Sequence, residues 1–229
     1  MDRIIKLKQV TKTNLNGGVN LTNPIFSIKQ AQAADAFTMN QIGIPSAVLM
    51  ERAALAVADA LFDHYDLTKA LVVAATGNNG GDGLAVTRLL KVKGIDVAVL
   101  RLGNPANATD ETKRQQKICT YYQIPFLTSV SDFSVYTTLV DAIFGVGLAR
   151  PVEGHFADVI TQMNTAPANI MAIDVPSGID ADSGEVKGTA IQATETVTMA
   201  ANKLGFTKPQ SQPYTGKVTV ADIGVYAHE

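Results

Sequence analysis

From residue 70 onward, short continuous apolar runs alternate with longer stretches in which apolar positions recur every three or four residues. The first kind reads as strand and the second as amphipathic helix. Strands are expected at residues 70–75, 96–102, 125–127, 138–143, 170–174, 194–199 and 217–222, and helices at 83–93, 109–122 and 154–164. Leu71-Val72-Val73 and Ile170-Met171-Ala172-Ile173 contain no polar position. Such runs are buried on both faces, as in a parallel sheet covered by helices. The expectation is a Rossmann-like, doubly wound α/β domain with three layers.

Two helices precede the first strand. Ser27 is a good N-cap for one running through residues 30–36. Gly43-Ile44-Pro45-Ser46 breaks it, and a longer helix follows over 46–63. Val48, Leu49, Ala53, Ala56, Val57, Ala60 and Leu61 give that helix its apolar stripe. Residues 1–26 read as an appended arm, and 27–229 as one domain without a linker. The polar, turn-rich stretch Asn14-Leu15-Asn16-Gly17-Gly18-Val19-Asn20 is expected to be mobile, or to pair with another chain.

Composition narrows the function. A chain of 229 residues is long enough for one full core. The net charge of −2 offers no basic surplus for nucleic acid. No apolar run approaches the roughly 20 residues of a membrane span. Residues 1–10 carry Arg3, Lys6 and Lys8 but no secretory pattern. Cys119 is the only cysteine, so no intramolecular disulfide forms, which fits a reducing cytoplasm. It lies in a helical pattern without an adjacent base and reads as packing rather than as a nucleophile.

The chemistry gathers after the strands. The first is followed by Thr76-Gly77-Asn78-Asn79-Gly80-Gly81-Asp82-Gly83. A glycine-rich turn opening a helix presents bare amides to an anion. It is neither the dinucleotide fingerprint nor a P-loop. The plainer alternative is a tight turn whose asparagines cap the helix. The strand near 140 leads into Asp141-Ala142-Ile143-Phe144-Gly145-Val146-Gly147-Leu148-Ala149-Arg150-Pro151. There Arg150 is either a phosphate ligand or merely solvated. The strand near 172 leads into Asp174-Val175-Pro176-Ser177-Gly178. A carboxyl at the end of a buried strand is suited to acid–base work; the alternative for Asp174 is backbone capping. Ser177 lacks a nucleophile elbow. His64, His155 and His228 lack zinc spacing and read as surface residues. Asn79, Asp141 and Ser177 offer one carboxylate and neutral oxygens, a set better matched to K⁺ than to Mg²⁺ or Ca²⁺. The alternative is that they bind only one another and water.

Taken together, these motifs resemble the NAD(P)H-hydrate epimerase family, also called the YjeF amino-terminal domain. The likeness runs from about Ser27 onward and includes residues 43–53 and Thr196-Val197-Thr198-Met199-Ala200-Ala201-Asn202-Lys203-Leu204-Gly205. The resemblance implies a metabolite-repair isomerase that interconverts the R and S epimers of hydrated NADH and NADPH (NADHX and NADPHX). An S-specific, ATP- or ADP-dependent dehydratase then restores the cofactor. Here the chain ends at Glu229, so the dehydratase is expected to be a separate protein. Carried over, Asn78, Asn79, Gly80, Gly81 and Asp82, with Gly145 through Pro151 and Asp174, hold the substrate. Asn79, Asp141 and Ser177 hold K⁺. The resemblance also implies a homodimer. Asp174 is the expected acid–base group, with Lys203 assisting at the phosphate or the ring. Two rival readings stand beside it. A catalytically silent scaffold would show degraded loops. A dinucleotide oxidoreductase would need a G-x-G-x-x-G turn.

Overall fold

The computed structural model describes residues 4–6, 10–13, 19–22 and 24–228. Its centre is a seven-stranded sheet: β1 (Ala70–Ala74), β2 (Val97–Arg101), β3 (Phe126–Leu127), β4 (Thr138–Ala142), β5 (Asn169–Ile173), β6 (Glu195–Met199) and β7 (Lys217–Ala221). Their order across the sheet is β3-β2-β1-β4-β5-β6-β7, and every pairing is parallel. This is the doubly wound arrangement, with its reversal between β1 and β4. Each strand lies within a residue or two of its expected bounds.

Alternation within the apolar strands divides the core in two. Val72, Val140, Met171 and Val197 face a layer made by α2 (Ser46–His64), α3 (Asn78–Val92) and α4 (Asp110–Tyr121). Leu71, Val73, Leu139 and Ile170 face α5 (Gly154–Thr165), through Val159, Ile160 and Met163. Cys119 is wholly buried in the first layer, and burial pushes its thiol up to about 12. It packs, as its sequence context suggested.

Helix α1 (Ile28–Phe37) begins at Ser27, whose side chain accepts from the Gln30 amide in a capping box. A π-helical turn, Thr38–Ile42, follows and ends at Gly43 with φ 88°. Both ends of α1 are tied down. The Ile28 amide donates to Asp182 Oδ1 at 2.7 Å, and the Tyr226 amide donates to Thr38 Oγ1 at 2.8 Å. In α2, Leu49, Ala53, Val57 and Leu61 are buried as the stripe required, whereas Val48 is 45% exposed. Ile4–Lys6 pairs antiparallel with Tyr226–His228, and Val10–Thr13 with Val19–Thr22. Residues 14–18 of the stretch expected to be mobile lie outside the described residues. Ile25–Phe26 pairs in parallel with Asn202–Lys203.

Candidate active site

A cavity of about 890 Å³ opens where β1 and β4 end, at the switch point of the sheet. Segments that follow four strands, β1, β4, β5 and β6, line it. Helices α1 and α2 and the π-helical turn between them close it with apolar side chains that include Met39, Leu49, Met50 and Ala53.

Helix α3 starts at Asn78, five residues ahead of the expected start at Gly83. Gly80, Gly81 and Gly83 are therefore buried helical residues rather than a turn. Close packing is the reason. A Cβ on Gly80 would sit 1.9 Å from the Ala75 carbonyl oxygen, and one on Gly83 would sit 2.3 Å from Ala142 Cβ. On Gly81 it would lie 2.7 Å from Met50 Cε. Asn78, Asn79 and Asp82 line the cavity, while Gly80 and Gly81 stand behind its wall. Gly77 is the N-cap, and no side chain caps the helix, so the asparagines do not play that part. The positive end of α3 opens at Gly77 and Asn78, which are exposed and line the cavity.

All of Gly145-Val146-Gly147-Leu148-Ala149-Arg150-Pro151 lines the cavity. Lys187 anchors this loop by donating to the Leu148 carbonyl at 3.2 Å while pairing with Asp180 at 2.5 Å. Arg150 is exposed at the rim. Gly145 sits where the loops meet. A Cβ there would lie 3.3 Å from Asp174 Oδ2 and 3.4 Å from Asn79 Oδ1.

Asp174 follows β5 with φ 66°, and the Val175 amide donates to the Ile173 carbonyl at 2.8 Å. Positive φ with a two-residue hydrogen bond is a strained, γ-type turn. Ala200, after β6, repeats the device with φ 63° and an Ala201-to-Met199 bond of 2.7 Å. The turn aims the Asp174 carboxylate into the cavity. Its Oδ1 accepts from Lys203 Nζ at 2.8 Å, the Met199 amide at 3.2 Å and Thr198 Oγ1 at 3.3 Å. Lys203 is 2% exposed, and its ammonium also donates to the carbonyls of Met199 and Ala201. Its donors are thus spent on Asp174 and the backbone, which leaves none for a phosphate.

Asp141 and Ser177 are wholly buried behind the loops. The Ser177 hydroxyl donates to Asp141 Oδ1 at 2.6 Å, and its amide donates to Oδ2 at 2.7 Å. The Phe144 amide donates to Ser177 Oγ at 2.8 Å, joining the loops after β4 and β5. Burial raises Asp141 to about 6, against the hydrogen bonds from Ser177 and Ile143. These two oxygens thus bind each other, as the plainer reading allowed. Asn79 does not join them; its Oδ1 and Nδ2 are buried without a hydrogen-bond partner among the described residues.

Two cavity groups went unrecognised or undervalued in the sequence. Burial holds the Asp82 carboxyl well above its ordinary range, reinforced by Asp174 and Asp35. Asp35, on α1, was not singled out at all. It lines the cavity, and burial, aided by Asp174 and opposed by Lys203, lifts it to about 6. Its signal was present: Ala31, Ala34, Asp35 and Thr38 share one helical face, so a carboxylate sits on a stripe of small residues.

Residues 46–205 match the family described as YjeF-related protein N-terminus. The chain belongs to that family. It is 53% identical to the NAD(P)H-hydrate epimerase of Levilactobacillus brevis, over 89% of this chain and 95% of that one. It is 51% identical to the enzyme of the same name from Limosilactobacillus fermentum, over 90% and 100%. The crystal structure of the yeast protein ynu0 superposes with a TM-score of 0.71 at 27% identity, covering 80% of this chain and 83% of that chain. The match to the YjeF-related family contains the loops after β1, β4 and β5 as well as Lys203. Asp35 lies ahead of it.

Proposed function

We propose that this YjeF-related protein is a metabolite-repair isomerase that interconverts the R and S epimers of hydrated NADH and NADPH. The single observation that carries the chemistry is the Asp174 carboxylate, held on Oδ1 by three donors while Oδ2 flanks Gly145 in the cavity. The relatives named NAD(P)H-hydrate epimerase, matched almost end to end, support the substrate.

The reacting carbon bears a hydroxyl beside the ring nitrogen, making it a hemiaminal. The nitrogen lone pair expels the protonated hydroxyl, and the ring becomes a cation. Water then returns to either face. Asp174 moves the proton to and from oxygen, and its negative charge stabilises the cation. The open end of α3 and the glycine loop after β4 hold the dinucleotide, with Arg150 at the rim for phosphate. The apolar wall of α1 and α2 excludes bulk water from the ring.

K⁺ is part of the reading. Among the described residues, Asn79 Oδ1 is a buried oxygen without a hydrogen-bond partner and Asp141 a buried carboxylate without an ion-pair partner, a donor set that fits a monovalent ion. Asn79, Asp141 and Ser177 would hold it. The ion would offset the Asp141 charge and brace the three loops. The S epimer goes to an S-specific, ATP- or ADP-dependent dehydratase in the cytoplasm. A homodimer completes the reading, supported by Val48, Leu55 and Phe62, exposed at seven-residue spacing on α2.

The test is epimerisation of purified R-NADHX, read by coupling to an S-specific dehydratase against a no-epimerase control. Conversion faster than the control is the expected result. A folded protein that binds dinucleotide without accelerating conversion would reject the reading.

A further inference from the structure

Inversion at a carbon requires oxygen to leave one face of the ring and return to the other. Asp174 is poorly suited to serve both. Its Oδ1 is fixed by Lys203, Thr198 and Met199, and its backbone is locked in a strained turn. A rigid carboxylate addresses the face it points at. The other face therefore needs its own proton carrier, or free water must do the work unaided.

Besides Asp174, the carboxyl groups lining the cavity are Asp35, Asp82, Glu111 and Glu153. Glu111 is engaged by Ser46 and Arg114. Glu153 is exposed at the rim. Burial shifts Asp82 well above its ordinary range, which favours its neutral form. Asp35 is different. It comes from helix α1, outside the sheet, whereas Asp174 comes from a strand end. Its carboxyl has no hydrogen bond or ion pair with another described residue, yet α1 is tied down at both ends, so it is free to react but not to wander.

We infer that Asp35 is a second catalytic acid–base group, serving the ring face opposite the one that Asp174 serves. This rests on the epimerase reading. In one direction Asp35, as the acid, gives its proton to the C6 hydroxyl. The C–O bond breaks with its electron pair on oxygen, water departs, and the N1 lone pair forms the C6–N1 double bond. Water on the far face then adds to C6, its proton passes to the Asp174 carboxylate, and the electron pair returns to N1. Nothing is oxidised or reduced. One turnover leaves Asp35 ionised and Asp174 protonated. The reverse turnover, or exchange with solvent, restores them. Asp35 feels both the like charge of Asp174 and the Lys203 cation paired with it, and Asp82 is within electrostatic reach. Its lift to about 6 lets both protonation states exist near neutrality.

The experiment uses the full chain with R- and S-NADHX separately in ¹⁸O-water. Epimerisation and ¹⁸O uptake at C6 are followed by mass spectrometry. Asp35→Asn is expected to lower epimerisation roughly 10²-fold. It should still exchange the oxygen of one epimer without inverting it, through Asp174. Asp174→Asn should show the opposite epimer preference. Asp35→Ala, with thermal melts of each variant, separates this from misfolding, because a folding defect removes exchange from both epimers alike. Wild-type epimerisation by Asp35→Asn, or exchange without epimer preference in that variant, would overturn the second acid–base group while leaving the epimerase reading intact. A wild-type protein that does not epimerise would overturn both.

Discussion

Lys203 Nζ lies 2.8 Å from Asp174 Oδ1, and the two side chains are only 3% and 14% exposed. Asp174 follows β5 and Lys203 lies in the short strand Asn202–Lys203 beyond β6, so the pair ties the site's carboxylate to the neighbouring segment. Removing the lysine strands a nearly buried charge. Lys203→Met is expected to lose about 3 kcal/mol of stability, the scale for breaking a buried pair. Adding Asp174→Asn should recover part of it. Urea denaturation of both single variants and the double variant gives the coupling directly; additive losses would show that the pair is not coupled.

Asp174→Asn keeps the shape of the side chain but cannot take up a proton. Its kcat should fall roughly 10²-fold or more, and its melting temperature should fall too, because the buried Lys203 ammonium loses its counter-ion. Steady-state kinetics on R-NADHX check this. Turnover near the wild-type rate would remove Asp174 from the proton path.

The glycines divide into two kinds. A Cβ on Gly80 collides with the Ala75 carbonyl at 1.9 Å, so Gly80→Ala must displace α3 from β1. The expected loss exceeds about 3 kcal/mol, at the upper end of overpacking costs. Gly145→Ala meets Asp174 Oδ2 and Asn79 Oδ1 at 3.3–3.4 Å, in the cavity rather than the core. It should melt near wild type and lose activity. Thermal melts beside kinetics separate the two; the reverse pattern would contradict this packing.

If K⁺ is bound as proposed, exchanging it for tetramethylammonium lowers the melting temperature, since an ion bound only by the folded state stabilises it. Asn79→Ala should abolish that difference. An equal melting temperature in the two salts, for a wild-type protein shown free of K⁺, would reject a structural ion.

Asp35 stands at about 6 in the folded protein against 3.8 ordinarily. The folded state therefore binds its proton more tightly than the unfolded state does. Stability is lost as pH rises from about 3.8 to about 6 and stays lost above. Asp35→Asn should not carry this loss, gaining about 1–2 kcal/mol over wild type at pH 7 relative to pH 4, after allowance for partial exposure. Denaturation at the two pH values measures the difference.

Local signals in the chain sufficed for the sheet and for the loops that line the cavity. Runs such as Ile170–Ile173 are apolar without a break because both faces are covered, and that pattern survives in one dimension. Ser27 capped α1 as its residue type required. The loops after β1, β4 and β5 follow from a rule about strand ends that depends only on element order. Tertiary structure decided the rest. Whether Gly80 and Gly81 form a turn or a helix depends on how near α3 lies to Ala75 and Met50, a distance between elements. The partnership of Lys203 with Asp174 joins positions 29 residues apart, and Asp35 acquires meaning only when α1 folds over the cavity. Backbone preference and hydrophobic period act over a few neighbouring residues and are written in their order. Burial of a charge and the identity of its partner arise from distant segments, and only the packed chain specifies them.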